Sequence, residues 1–327
     1  MSHIQPGRIS LGFFPTPTVR LNRLTEAVGG ADIFIKRDDL TGLALGGNKT
    51  RKLEYILADA LAQGCDTIIT AGAAQSNHCR QTAAAAAQLG LACHLVLGGE
   101  APGQATGNLL LDQLFGSHIH WAGEHRKGED IPVLQVQLAA AGHKPYVVPY
   151  GGSNELGAVA FLQASRELVA QTTEPFTHIV FASSSGGTQA GLMLGKVACD
   201  QGYQVLGINI DKGESGDLAF SAQVLELANR TARMLSMTHK FSAADVLLND
   251  DYLGDGYGVV GAREREAILL TARTEGIILD PVYTGRAMGG LLAMLRTEEI
   301  AKDARVLFWH TGGAPALFAY ADSLTPR

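Results

Sequence analysis

The chain of 327 residues has no basic run, and its 26 Lys and Arg stand against 32 Asp and Glu, a formal net charge of −6. A nucleic acid or an anionic membrane surface is therefore not an expected partner, because both are recognised through clustered positive charge. No apolar run is long enough to span a bilayer. Residues 1–6 lack the charged and apolar regions of a secretory leader, so none is expected. The four cysteines, Cys65, Cys79, Cys93 and Cys199, are scattered and contain no C-x-x-C pair. Neither a disulfide framework nor a zinc site is suggested, and reduced, mostly buried thiols in a cytoplasmic protein are expected. No metal ligands stand at useful spacing around His78, so no metal is expected. Internal repeats are absent too.

What the chain does contain is a sustained alternation. With 46% hydrophobic and 18% charged residues it has ample core for two lobes. Pro15 and Pro17 fix an extended entry. Short apolar strands are expected at 32–36, 67–70, 93–97, 118–121 and 146–148, with helices at 53–63, 76–89, 106–115 and 133–141. After the break Gly151-Gly152-Ser153-Asn154, a second series follows. It has helix 156–170, strand 178–182, helix 189–197, strand 204–210, helices 219–235, 262–274 and 286–295, and strand 306–309. Strands alternating with amphipathic or Ala-rich helices build right-handed β-α-β units. The expected fold class is α/β, two-lobed, each lobe a mostly parallel sheet flanked by helices. Ligands of such sheets bind at the carboxyl ends of strands, where the Gly-, Ser- and Thr-rich loops fall.

Gly46-Gly47-Asn48-Lys49 joins a polar, turn-like run to the helix expected from 53. Two glycines let the backbone turn and approach a ligand. A cation at a helix start is mildly unfavourable, so Lys49 calls for a reason other than helix stability. A covalent role supplies one: an amine that forms a Schiff base with a cofactor aldehyde. Residues 183–188, three serines, two glycines and a threonine, lie between a strand and a helix and suit a phosphate. An ordinary tight turn would need fewer hydroxyls. Gln75-Ser76-Asn77-His78 opens another helix after a strand, and such starts hold carboxylates or serve as plain caps.

Two literal motif matches fail in context. Gly42-x-x-x-x-Gly47-Asn48-Lys49-Thr50 differs from a nucleotide P-loop because Asn48 separates glycine from lysine and no strand feeds the loop. Gly256-Tyr257-Gly258-Val259-Val260-Gly261 follows an acidic loop where a dinucleotide fingerprint needs a strand. What remains is a lysine, a phosphate cradle, a carboxylate-type helix start and two loop tyrosines, Tyr257 and Tyr283. A phosphate-bearing aldehyde, pyridoxal 5'-phosphate (PLP), with an amino-acid substrate would use all of them.

The segments Lys36-Arg37-Asp38-Asp39, Gly46-Gly47-Asn48-Lys49-x-Arg51-Lys52-Leu53-Glu54 and Gln75-Ser76-Asn77-His78-x-Arg80-Gln81-Thr82-Ala83 carry a resemblance. So do Gly151-Gly152-Ser153-Asn154-x-x-Gly157-Ala158, Gly187-Thr188-x-Ala190-Gly191, Asp280-Pro281-Val282-Tyr283-Thr284-Gly285 and His310-Thr311-Gly312-Gly313. In order and over nearly the whole chain, the sequence resembles the ACC deaminase/D-cysteine desulfhydrase family, a tryptophan-synthase-β-like branch of the fold type II PLP enzymes (ACC, 1-aminocyclopropane-1-carboxylate). The resemblance implies a large PLP-binding domain of 1–48 and 161–327, a small domain of 49–160, and a homodimer. It implies that Lys49 is the Schiff-base lysine, that Asn77 bonds the cofactor's ring hydroxyl, and that Ser76, Asn77 and His78 hold the substrate carboxylate. It further implies a phosphate loop of Ser185, Gly186, Gly187, Thr188 and Gln189, Thr311 at the pyridine nitrogen, and Tyr283 and Tyr257 facing the substrate. With Lys49 and Ser76, these tyrosines form the expected catalytic set.

The implied reaction is β-elimination at a carbon–sulfur bond, giving pyruvate, ammonium and sulfide or sulfite. A neutral hydroxyl at the pyridine nitrogen makes the ring a weaker electron sink than a carboxylate would. That favours prompt loss of a β-leaving group, which Tyr283 could protonate or position. Thr284 stands where ACC deaminases carry Glu, which points away from cyclopropane opening. Gln189 and Arg286 stand where D-cysteine desulfhydrases often carry His and Lys, and Thr50 with Gln189 resembles the L-cysteate sulfo-lyases of the same family. D-cysteine and L-cysteate are thus both open as substrates, with ACC deaminase as the alternative. A module that held PLP without turnover would need neither Lys49 nor Tyr283.

Overall fold

The computed structural model describes residues 6–211 and 219–324. In chain order the elements are β1 (Thr18–Arg20), α1 (Asn22–Val28), β2 (Asp32–Arg37), α2 (Lys49–Ala62), β3 (Thr67–Ala73), α3 (Asn77–Leu89), β4 (Ala92–Gly98), α4 (Gly107–Leu114), β5 (His118–Trp121), α5 (Ile131–Ala140) and β6 (Pro145–Val147). They continue as α6 (Glu155–Gln171), β7 (His178–Ser183), α7 (Gly187–Ala198), β8 (Gln204–Asn209), α8 (Phe220–Met234), β9 (Leu247–Asn249), α9 (Ala262–Glu275), α10 (Thr284–Arg296) and β10 (Arg305–His310). The strands form two sheets. One has six strands in the order β1-β2-β10-β7-β8-β9, and the other has four in the order β5-β4-β3-β6. Every pairing is parallel except that of β1 with β2.

Period-two side-chain alternation explains how each sheet is covered on both faces. In the larger sheet Ile33, Ile35, Val180, Val306 and Phe308 pack on one side with Leu291 and Leu292 of α10. Ile179, Phe181, Leu307 and Trp309 face the other side, against Phe161 of α6 and Leu194 of α7. In the smaller sheet Ile68, Leu95 and Leu97 meet Leu53 and Ile56 of α2, while Ile69 and Val96 meet Ile131 and Leu134 of α5. Each such fully buried aliphatic side chain contributes about 1.5–3 kcal/mol. These runs are apolar on both faces, so they read as strands in the sequence.

Helix and strand expectations match the observed elements to within a few residues at most ends. The largest difference is α2, which begins at Lys49 instead of 53. The sequence reading passed over β1, α1 and β9. The two strands are edge strands of three residues each, and α1 is seven residues long, too short for periodicity to register. No helix among the described residues is long and apolar enough to cross a membrane. Within the same residues no group of His, Cys, Asp and Glu is arranged to hold a metal ion.

Candidate active site

The early start of α2 has a tertiary cause. The Arg51 guanidinium donates to both oxygens of Asp38, at 2.9 and 2.8 Å, and to both oxygens of Glu167 on α6, at 2.8 and 2.9 Å. The Trp309 indole N–H donates to Asp38 at 2.8 Å. Charges this buried persist because they are paired and fully hydrogen-bonded. They pin the first turn of α2, and so Lys49, to the end of the larger sheet. The turn before Lys49 also lies directly on the turn after β10. The Asn48 N–H donates to the Thr311 carbonyl at 3.0 Å. A Cβ on Gly312, where φ is +95°, would come within 2.7 Å of Gly47 Cα. Glycine is required at Gly312 for its backbone angle and for this close approach.

Between the two sheets lies a cleft, at the carboxyl ends of strands where α/β sheets bind ligands. Its walls include Lys49, Ser76, Asn77, His78, Tyr150, residues 182–186, Thr188, Tyr283 and Thr311. The amines of Lys49 and Lys52 both donate to the Gly151 carbonyl at 3.0 Å. Lys49 lines the cleft and is half-buried by area. Burial brings its pKa from 10.5 down to about 8. Burial, then the charge of Lys49, holds Lys52 well below its ordinary value. A lysine so depressed presents a free-base amine near neutrality, as a nucleophile or a proton acceptor needs.

The loop from β7 to α7 forms the opposite wall. The Gly187 N–H donates to Ser153 Oγ at 3.1 Å, and Ser153 Oγ donates to Ser185 Oγ at 2.8 Å. Lys52 Nζ reaches Ser153 Oγ at 3.3 Å, and Asn48 Nδ2 reaches Thr188 Oγ1 at 3.2 Å. A Cβ on Gly187 would lie 2.7 Å from Ser153 Oγ and 3.0 Å from Lys52 Nζ, so this cradle admits no side chain. A helix start, three hydroxyls and the buried amine of Lys52 around one small space fit a phosphate. With Lys49 across the cleft, the residues present fit a phosphate-bearing aldehyde.

At the carboxyl end of β3, Ser76 caps α3 and accepts from the Cys79 N–H at 3.2 Å. Thr70 Oγ1 donates to the Val148 carbonyl at 2.8 Å, so it accepts from His78 Nε2, also at 2.8 Å. That assigns the proton of His78 to Nε2. Nδ1 is left buried and without a partner among the described residues. Burial, then the nearby lysines, keeps the imidazole neutral, with its pKa well below the ordinary value. His78 is therefore a neutral wall of the site and no store of protons.

Tyr283 is fixed by Asp280, whose carboxylate accepts from the N–H groups of Val282, Tyr283 and Thr284 at 2.9, 2.8 and 2.8 Å. The Tyr283 hydroxyl is hydrogen-bonded to that of Tyr257, and the two rings meet edge to face at 5.9 Å. Burial raises both phenols well above 10, so both keep their protons at neutral pH. Arg286, on α10, holds the Tyr257 loop through Glu264 at 2.8 Å and the Val259 carbonyl at 2.8 Å.

The structure thus gathers nine of the expected site residues around one cleft: Lys49, Ser76, Asn77, His78, Ser185, Gly186, Thr188, Thr311 and Tyr283. Tyr257 reaches it through Tyr283. Gly187 contributes its N–H behind the wall. The Gln189 side chain turns into the sheet, accepting from Ser183 Oγ and donating to the Leu247 carbonyl, both at 2.7 Å. Thr50 and Thr284 are likewise tied inward, to Gln81 and Asp280. None of these three side chains faces the cleft, so none can read a leaving group directly. Sequence reasoning missed Lys52, Ser153 and Tyr150. Lys52 and Ser153 stand within the motif segments, and Lys52 lies three residues after Lys49 and so on the same helical face.

A family model described as pyridoxal-phosphate dependent enzyme matches residues 9–312. The chain is 44% identical over 321 residues to the D-cysteine desulfhydrase of Yersinia enterocolitica serotype O:8 / biotype 1B (strain NCTC 13174 / 8081), covering 96% of each chain. To the D-cysteine desulfhydrase of Salmonella typhi it is 43% identical with the same coverage. Among solved structures it superposes on an ACC deaminase homologue with a TM-score of 0.90 and 37% identity, over 98% of this chain and 96% of that one. An O-ureido-L-serine synthase shares the fold, with a TM-score of 0.67 at 17% identity over 97% and 95% of the two chains.

Proposed function

The chain belongs to the pyridoxal-phosphate dependent enzymes, and from that premise we propose that it is a carbon–sulfur lyase acting on a cysteine-type amino acid. D-cysteine is the first substrate to assign, with pyruvate, ammonium and sulfide as products. The observation that carries this reading is one cleft with Lys49, the 76–78 helix start and Tyr283 on its walls. The 44% identity to a D-cysteine desulfhydrase supports the choice of substrate.

The residues 185–189 and Lys52 would hold the cofactor's phosphate, Lys49 its aldehyde carbon, Asn77 its ring hydroxyl and Thr311 its pyridine nitrogen. When bound, PLP supplies an electron sink that acidifies the α-proton of an amino acid and lets a β-substituent leave. The backbone N–H groups at the start of α3, with Ser76, orient the substrate carboxylate. Lys49, with its depressed pKa, is the base that takes the α-proton. Tyr283, which keeps its proton at neutral pH, gives it to the departing sulfur. Position 284 is a threonine whose hydroxyl donates to Asp280 at 2.7 Å, so it offers no carboxylate for cyclopropane opening.

The test compares pyruvate release from D-cysteine, L-cysteine and L-cysteate with 2-oxobutyrate release from ACC. D-cysteine should react and Lys49→Ala should abolish product and visible absorbance together. Turnover of L-cysteate alone would make the enzyme a sulfo-lyase. A yellow protein that releases nothing from any of the four would overturn the lyase assignment. We further assign residues 1–48 and 161–327 to a large cofactor-binding domain and 49–160 to a small one. A homodimer in the cytoplasm completes the reading. The exposed side chains of Phe13 and Leu45, on loops joined by the Phe13 N–H to Thr41 carbonyl bond, support a subunit contact there.

A further inference from the structure

The loop after β5 carries Arg126, which no part of the motif pattern singles out. Its position is built by glycines. Gly99 and Gly123 pair through their backbones, and a Cβ on Gly98 would come within 2.3 Å of Arg126 Cβ. The loop therefore sits directly on the end of β4. From there the guanidinium crosses to the other sheet, where Asp211, just after β8, accepts from Nη2 at 2.6 Å. Nη1 reaches the Tyr150 hydroxyl at 3.5 Å. The guanidinium carbon lies over the Tyr257 ring, 4.6 Å from its centroid, and Tyr257 is the hydrogen-bond partner of Tyr283.

We infer that Arg126 is a positioning residue for the leaving-group proton: it holds Tyr257 against Tyr283 and stabilises the pair once Tyr283 has given its proton away. The inference rests on the lyase reading above. In that step the carbon–sulfur bond breaks with its electron pair on sulfur. The O–H bond of Tyr283 breaks, and its proton forms the new S–H bond. The negative charge left on Tyr283 Oη is met by the Tyr257 hydroxyl as donor, and water later restores the proton. A cation over the ring of Tyr257 withdraws electron density from it and makes that hydroxyl a better donor. Asp211, by accepting from Nη2, holds the guanidinium over the ring. Arg126 follows a strand of one sheet and Asp211 a strand of the other, so their ion pair ties the two sheets together at this side.

A leaving group that needs no proton separates this role from a scaffolding one. D-cysteine loses hydrosulfide, which takes up the Tyr283 proton, whereas β-chloro-D-alanine loses chloride, which takes none. Arg126→Gln should lower kcat on D-cysteine about tenfold while lowering kcat on β-chloro-D-alanine less than about threefold. Visible absorbance of the loaded protein should be unchanged. Arg126→Lys should recover part of the loss, and Asp211→Asn, which leaves the cation but frees it, should show the same selectivity for D-cysteine. Equal losses on the two substrates, or no loss on either, would overturn the inference. If the unmodified enzyme released pyruvate from neither substrate, the lyase reading itself would fail instead.

Discussion

Lys49 and Lys52 aim their amines at one acceptor, the Gly151 carbonyl, each at 3.0 Å. Two ammonium groups cannot both be well satisfied there, and burial disfavours charge on either. The pair is built for a site that receives an anion and an aldehyde: one amine to react, the other to neutralise.

The first consequence is a pH dependence of stability in the cofactor-free protein. Lys49 has a pKa of about 8 when folded, against 10.5. Between those values the unfolded chain binds more protons, so stability is lowest below about pH 8 and rises toward about pH 10.5. Lys49→Met removes this contribution. Urea unfolding at about pH 7 and about pH 10 should show the unmodified protein gaining up to about 3 kcal/mol relative to the variant. A constant difference between the two proteins would contradict the depressed lysine.

The second concerns the phosphate cradle. Gly187→Ala places a methyl group 2.7 Å from Ser153 Oγ and 3.0 Å from Lys52 Nζ, at a helix position where alanine is otherwise favourable. PLP affinity, measured by absorbance titration of the cofactor-free protein, should fall at least about tenfold while the variant still folds, as an unchanged far-UV circular dichroism spectrum would show. Lys52→Met should weaken PLP by about 10- to 100-fold, the worth of a charged hydrogen bond formed when the phosphate arrives, and should leave the cofactor-free protein no less stable because burial already disfavours charge on this amine. Undiminished affinity in both variants would place the phosphate elsewhere.

A third lies far from the cleft, on the β4–β5 edge. His94 stands opposite His118 in register, and its ring stacks on His118 and His120 at 4.6 and 5.2 Å. Burial first, then the neighbouring histidines, depresses its pKa to about 4. Its contribution to stability is present above the unfolded value of about 6.5 and is lost as pH falls toward about 4. The unmodified protein should lose roughly 1–2 kcal/mol relative to His94→Gln between about pH 7 and about pH 4.5, allowing for solvent screening. Parallel stability curves would show that the cluster carries no such linkage.

Much of the site was legible because its chemistry is local. A lysine after two glycines, a hydroxyl-rich strand-to-helix loop and a capped helix start each declare themselves within a few residues, since helix termini and turns are short-range structures. Lys52, Ser153 and Arg126 do not declare a role in this way. Each acquires its role from a partner in another element: Ser153 from Gly187, Lys52 from Gly151, Arg126 from Asp211 and Tyr257. Gln189, Thr50 and Thr284 show the converse. They mark differences between relatives in the sequence, yet their side chains are bonded away from the cleft.

The sequence by itself determined the alternation of strands and helices, the two-sided burial of the strands and the loops at which chemistry could occur. Those follow from hydrophobic period and backbone preference, which are properties of neighbouring residues. Only the tertiary structure decided that Lys49 begins a helix, because ion pairs to Asp38 and Glu167 hold that turn in place. Only it decided which hydroxyls and amines share one cleft, and that a guanidinium from one sheet rests on a tyrosine tied to the other. Proximity between elements distant in the chain depends on how whole faces pack, and no window of sequence contains that information.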